Sequence, residues 1–203
     1  PIPKPAGGKS SAPHGIPLSD DFSTNKFGLQ WSFYRGDVNE IDRVKYGRDE
    51  KGYYMEVAPK GDSPSNSSPL TFIAGDQAYE FEVDIELSPG AMAGALLFYN
   101  DKLYAGTGVR EDHFMLHRYG MDQRRSAKPE GNSIRLRVTN DRHILTVRYS
   151  TDNGKTWKKY DTQMEVSGFH HNVAYGFMSL RPAIYAAGTG KTKFRNLTYK
   201  ALP

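Results

Sequence analysis

Apolar and polar residues alternate with a period of two along most of the chain. Tyr79, Phe81, Val83, Ile85 and Leu87 alternate with Glu80, Glu82, Asp84 and Glu86. Ile134, Leu136 and Val138 alternate with Arg135, Arg137 and Thr139, and Leu145, Val147 and Tyr149 with Thr146 and Arg148. Tyr53, Met55 and Val57 share one side of a further run, with Tyr54 and Glu56 on the other. Each run predicts a strand with one face on a core and one in water. GALLFY (94–99) and VAYGFMSL (173–180) are apolar on both sides. They predict central strands covered on both faces, one cover being the core and the other protein or ligand. No segment holds a 3.6-residue period over three turns. Gly61-Asp62, Ser88-Pro89-Gly90, Asn140-Asp141 and Asp152-Asn153-Gly154 mark turns between the runs. The pattern predicts an all-β, antiparallel, two-sheet sandwich of jelly-roll type.

Residues 1–17 break the pattern with five Pro and three Gly, so they read as a linker, and the folded domain is expected over 18–203. The absence of cysteine removes disulfides, thiolate metal sites and a cysteine nucleophile, and leaves the compartment open. No stretch nears the ~20 apolar residues of a membrane span. The net charge of +4 conceals an asymmetry: residues 1–100 carry 9 basic against 14 acidic side chains, and 101–203 carry 18 against 9. The basic residues are spread over alternating strands rather than gathered in one stripe, which argues against nucleic acid as a partner.

Five motifs carry candidate chemistry. GTGKT (188–192) ends like a phosphate-binding loop but has Tyr185 where the first glycine belongs, and a strand-like segment follows it. His113 and His117, four apart on a strand, lie roughly 13 Å apart, too far to share a zinc. STDNGKTW (150–157) fits an Asp-box hairpin, in which aspartate tethers turn amides and tryptophan packs beneath. The acids Glu80, Glu82, Asp84 and Glu86 stand about 6.6 Å apart, a spacing open to a glycosidase pair. A solvated row gives none of them a reason to hold a proton, so pairing with Arg135, Arg137 or Arg148 across the strands is expected. Asp20 and Asp21 on the opening turn offer oxygens for a structural calcium, or cap that turn.

The chain has 13 Tyr, 10 Phe and 2 Trp. Sugars stack their C–H faces on such rings, so rings on wet faces or loops are candidate contacts: Tyr34, Tyr54, Tyr99, Tyr104, Trp157, Phe169 and Tyr185. Tyr104 is singled out because glycines flank the stretch NDKLYAGTG.

Together, LSDDFSTNKFGLQWSFYRGD, SSPLTFIAGDQAYEFEVDIEL, AGALLFYNDKLYAGTG and IRLRVTNDRHILTVRYSTDNGKTWKKY resemble the C-terminal β-sandwich of glycoside hydrolase family 43 β-xylosidases, over about residues 18–201. The resemblance implies a concanavalin-like jelly roll, also classed as carbohydrate-binding module family 91, with xylan or xylo-oligosaccharides as ligand. It further implies that the chemistry belongs to a five-bladed catalytic propeller that these residues do not contain, so this chain is expected to be inert on glycosides. In relatives a loop phenylalanine of the sandwich helps close the pocket, and Phe169 in SGFHHN is the candidate here. The expected sugar contacts are Tyr34, Tyr99, Tyr104, Phe169 and Tyr185. Two roles stay open: a xylan-binding accessory module, or a structural partner that docks on the propeller and shapes its active site. A degradative role on plant cell walls would suit a secreted or periplasmic setting, and a cytoplasmic one is compatible with the residues.

Overall fold

A computed structural model of the chain describes residues 16–160, 163–176 and 178–203. The expected linker falls largely on residues 1–15, outside the described residues. The first strands are β1 (Ser32–Phe33), β2 (Val44–Asp49), β3 (Gly52–Val57), β4 (Leu70–Thr71) and β5 (Ala78–Leu87). Then come β6 (Ala91–Asn100), β7 (Leu103–Val109), β8 (His113–Arg118), β9 (Met121–Ala127) and β10 (Ser133–Asp141). Next are β11 (Ile144–Ser150), β12 (Lys158–Lys159) and β13 (Met164–Glu165), followed by the single helical turn α1 (His171–Ala174). β14 (Arg181–Gly188) and β15 (Thr192–Ala201) close the fold.

One sheet has the order β1-β4-β14-β6-β7-β8-β9, the other β12-β11-β10-β5-β15-β3-β2, with β13 also on β11. All pairings described are antiparallel. The period-two runs set the register. Phe81 stands opposite Val138, Val83 opposite Leu136 and Ile85 opposite Ile134, so three apolar pairs face inward together. The intervening acids face out and meet cations from neighbouring strands. Glu82 accepts from Arg135 Nε at 2.8 Å and Arg137 Nε at 2.6 Å. Asp84 pairs with Arg135, and Glu86 with Lys51 and Arg195.

β6 is buried along its whole length, as its apolar pattern predicts. Ala91, Ala93, Ala95, Leu97 and Tyr99 join the core between the sheets. Met92, Leu96 and Phe98 point the other way, into a second apolar layer with Tyr34, Tyr104 and Tyr185. The cover over that layer is the chain itself. The turn Pro64–Asn66 begins at Ser63, whose hydroxyl lies 3.1 Å from Tyr104 Oη. Buried Glu40 ties the segment down by pairing with Arg43 and Lys60, and Arg43 also donates to the Ser67 carbonyl.

VAYGFMSL departs from the expected strand. His170 caps α1, its side chain accepting from the Asn172 amide. Tyr175 and Gly176 then take left-handed φ values of 52° and 81°. Two left-handed residues in succession destroy the alternation a strand needs. Met178 and Leu180 still pack on the core, so the apolar content is used without a strand.

Candidate functional site

Strand direction brings one set of loops to one end of the sandwich. There lie the β6–β7 turn, the β8–β9 turn at Tyr119-Gly120, the β10–β11 turn at Arg142-His143, and the segment 163–176. Asn100 Nδ2 donates to the Ala174 carbonyl at 2.8 Å, and Tyr99 Oη donates to the Gly176 carbonyl. Tyr119 Oη reaches the Glu165 carbonyl at 3.2 Å. These bonds hold α1 and its flanks against the strand ends.

The five rings expected to stack on sugar are all buried. Tyr104 and Tyr185 are 0% and 2% exposed, Tyr99 1%, Phe169 4% and Tyr34 7%. Tyr34, Tyr104 and Tyr185 do come together, but beneath the surface. Tyr34 meets Phe98 edge-on and Tyr104 stacks on Phe98, with centroids 4.9 and 5.7 Å apart. Tyr99 fills the inter-sheet core, and Phe169 packs on Tyr119 with centroids 5.6 Å apart. The glycines near Tyr104 act opposite to expectation: they lie in β7 and admit rings rather than leave them free. A Cβ on Gly108 would lie 2.1 Å from Tyr185 Oη and 2.6 Å from His117 Nε2.

The hydroxyls of this layer are satisfied internally. His117 bridges two partners, with Nδ1 at 2.6 Å from Asp122 Oδ1 and Nε2 at 2.7 Å from the Tyr185 hydroxyl. Tyr104 Oη lies 3.1 Å from both the Gly120 carbonyl and Asp122 Oδ1. Burial pushes the Tyr104 hydroxyl up to about 12 and Tyr185 well above the usual phenol range. Burial alone would raise Asp122, yet its bonds and attraction to His117 and the Ser63 and Tyr104 hydroxyls leave it lowered. A chain of fully bonded groups with no exposed ring face is a structural network.

The exposed apolar side chains at this end are different ones. Tyr175 is 88% exposed, Val173 59%, Met121 55% and Tyr119 43%. Sequence reasoning passed over them. Tyr119-Gly120 and Tyr175-Gly176 are the available signal, each a tyrosine-glycine pair in left-handed backbone, with tyrosine φ values of 50° and 52°.

A sequence model of the family described as the β-xylosidase C-terminal concanavalin A-like domain matches residues 19–200. The chain belongs to this family. Among solved structures, the sandwich is similar to part of the GH43 protein BlXynB from Bacillus licheniformis, with TM-score 0.74 and 20% identity. That match covers 91% of this chain and 39% of the other. It is also similar to part of the xylan β-1,4-xylosidase from Bacillus halodurans C-125, with TM-score 0.73 and 15% identity over 98% of this chain and 41% of that one. This chain therefore spans about two fifths of the length of these solved relatives. No curated protein matches it. As the C-terminal concanavalin-like domain, these residues lack the catalytic propeller.

The remaining motifs of this β-xylosidase C-terminal domain are structural. Asp20 Oδ1 accepts from the Phe22 amide, and Oδ2 from Gln30 Nε2 and Trp31 Nε1. Asp21 Oδ1 accepts from the Ser23 amide and hydroxyl, bonds that lower its carboxyl. Both acids thus cap the opening turn. Among the described residues no three His, Asp or Glu gather into a metal-holding group. The Asp-box forms as expected: Asp152 accepts from the Ser150 hydroxyl and from the Thr156 amide and hydroxyl. Trp157 is half-buried on the outer sheet face, with the Arg137 guanidinium 3.9 Å from its ring centroid. GTGKT turns β14 into β15, and His113 pairs with Asp112 rather than with His117.

Proposed function

We propose that this domain is a non-catalytic structural partner. In this reading its loop-bearing end docks on the catalytic part of a family 43 glycoside hydrolase acting on xylan or xylo-oligosaccharides, and shapes the active-site pocket. The observation that carries the reading is the exchange of roles between two sets of apolar residues. The rings on the sheets are consumed by the fold, whereas Val173, Tyr175, Tyr119 and Met121 stand exposed at one end. Exposed apolar residues gathered at one end suit a protein contact. Tyr175 is also held in left-handed backbone, a strain that persists where surrounding structure imposes it. The test uses the domain joined to its catalytic domain. Tyr175→Ala should lower kcat/KM on xylobiose by about tenfold, the cost of one buried interface tyrosine, and leave the sandwich's melting temperature unchanged. Unaltered kinetics would remove Tyr175 from the contact.

A further inference from the structure

STDNGKTW holds the sequence's single Asn-Gly pair, Asn153-Gly154, in the Asp-box hairpin between β11 and β12. A side-chain amide followed by glycine is open to attack by the next backbone nitrogen, because glycine has no Cβ to block the approach. The Asn153 side-chain amide makes no hydrogen bond among the described residues, so nothing withdraws it from reaction. Asn66 is the contrast. Its Oδ1 accepts from the Asp62 and Ser63 amides, and its Nδ2 donates to Asp62 Oδ1.

The attacking atom is restrained instead. Asn153 and Gly154 turn the chain with left-handed φ values of 57° and 82°. The Gly154 N–H donates to Ser150 Oγ at 2.9 Å, and Ser150 Oγ donates to Asp152 Oδ1 at 2.7 Å. Asp152 is fixed in turn by the Thr156 amide and hydroxyl. To reach Asn153 Cγ, the Gly154 nitrogen must leave this turn and lose its proton, and the Ser150 bond opposes both. The same hairpin thus carries a reactive pair and the bonds that hold it apart.

We propose that Asn153 is a self-modification site gated by the Asp-box, cyclising with Gly154 when the hairpin opens and ending as aspartate or isoaspartate. The Gly154 nitrogen bonds to Asn153 Cγ, the Cγ–Nδ2 bond breaks, and the Gly154 proton leaves with the amide group as ammonia. Water then opens the ring at the side-chain carbonyl to give aspartate, or at the main-chain carbonyl to give isoaspartate. Isoaspartate lengthens the main chain by a carbon inside the hairpin, so the spacing that lets Asp152 hold Thr156 is lost. The modification therefore loosens β12 and the packing of Trp157 on Arg137. β11 runs away from the β10–β11 turn, so this hairpin lies at the end of the sandwich opposite the docking contact.

The test follows the tryptic peptide 149–155 by mass and chromatography while the chain is incubated in mildly alkaline buffer. Both products are heavier than the parent by the exchange of NH2 for OH, and chromatography separates them. The urea-unfolded chain should convert fastest, and the native chain about tenfold more slowly or less, because only the opened hairpin reacts. Ser150→Ala frees the Gly154 nitrogen and should raise the native rate about tenfold. Thr156→Ala loosens Asp152 without touching Ser150 and should raise it by a smaller factor. Higher pH should speed every sample, since the nitrogen must lose its proton. Native conversion as fast as in urea, a Ser150→Ala rate equal to the parent's, no conversion in any sample, or conversion confined to another asparagine would each overturn the proposal. None of these results bears on Tyr175, so the docking contact is tested independently.

Discussion

Gly108→Ala tests whether the tyrosine layer is part of the fold rather than a ligand platform. Gly108 pairs with Gly94 on β6 and Met115 on β8, in the middle of its sheet. The added methyl would sit 2.1 Å from Tyr185 Oη and 2.6 Å from His117 Nε2, atoms that share a 2.7 Å hydrogen bond. Neither group can yield easily, because Tyr185 is 2% exposed and His117 is fully buried. Overpacking costs about 1–3 kcal/mol and stranding a buried polar partner about 1–3 more. A loss of about 3–5 kcal/mol is expected, read as a lower urea midpoint with unchanged slope. At this chain length that corresponds to a fall in melting temperature of roughly 10 °C. Gly168→Ala is the control, since a Cβ there meets nothing within 4 Å. A Gly108→Ala protein within about 1 kcal/mol of the parent would show that the His117–Tyr185 contact is not tight.

Tyr104→Phe keeps the ring on Phe98 but removes the hydroxyl shared by the Gly120 carbonyl and Asp122, the latter keeping His117, and should cost about 1–2 kcal/mol in chemical denaturation. Trp157→Ala should cost about 2 kcal/mol, less than a core ring, because the indole is half-buried and holds only Arg137 over its face. Asp49 is held well below the usual carboxylate range chiefly by Arg195, itself buried, and then by Lys193. Its folded pKa is depressed, so its contribution is present above the unfolded value of 3.8 and lost as pH falls toward the folded one. Asp49→Asn should therefore destabilise at neutral pH, by about 1–2 kcal/mol because Arg195 keeps Glu86 and the Gly52 and Tyr53 carbonyls, and flatten the acid limb of the stability curve.

Much of the fold was legible because one face of most strands is dry. Ile85, Val83 and Phe81 could be assigned to the core from spacing alone, and the Asp-box hairpin from its side-chain chemistry. β9 was not legible: all of Met121–Ala127 is exposed, so an edge strand lacks any alternation to read. The tyrosine layer failed for a different reason. Whether the second face of β6 meets water, ligand or protein depends on where Ser63–Ser67 folds back, and that is fixed by the distant Glu40, Arg43 and Lys60 contacts. Burial of Tyr104 and Tyr185 is thus a tertiary property, with no local trace beyond the glycines at 94, 106 and 108. The exposed residues at the loop end were masked by a misread strand, whose apolar content concealed the turn at Tyr175-Gly176.

The docking role is tested most directly by hydrogen exchange of the domain alone and joined to its catalytic domain. Joining should slow exchange in 163–176 and around Tyr119-Gly120, and leave the outer face of β5, β10 and β15 unchanged. Unaltered exchange at those two segments, or protection confined to that outer face, would contradict it.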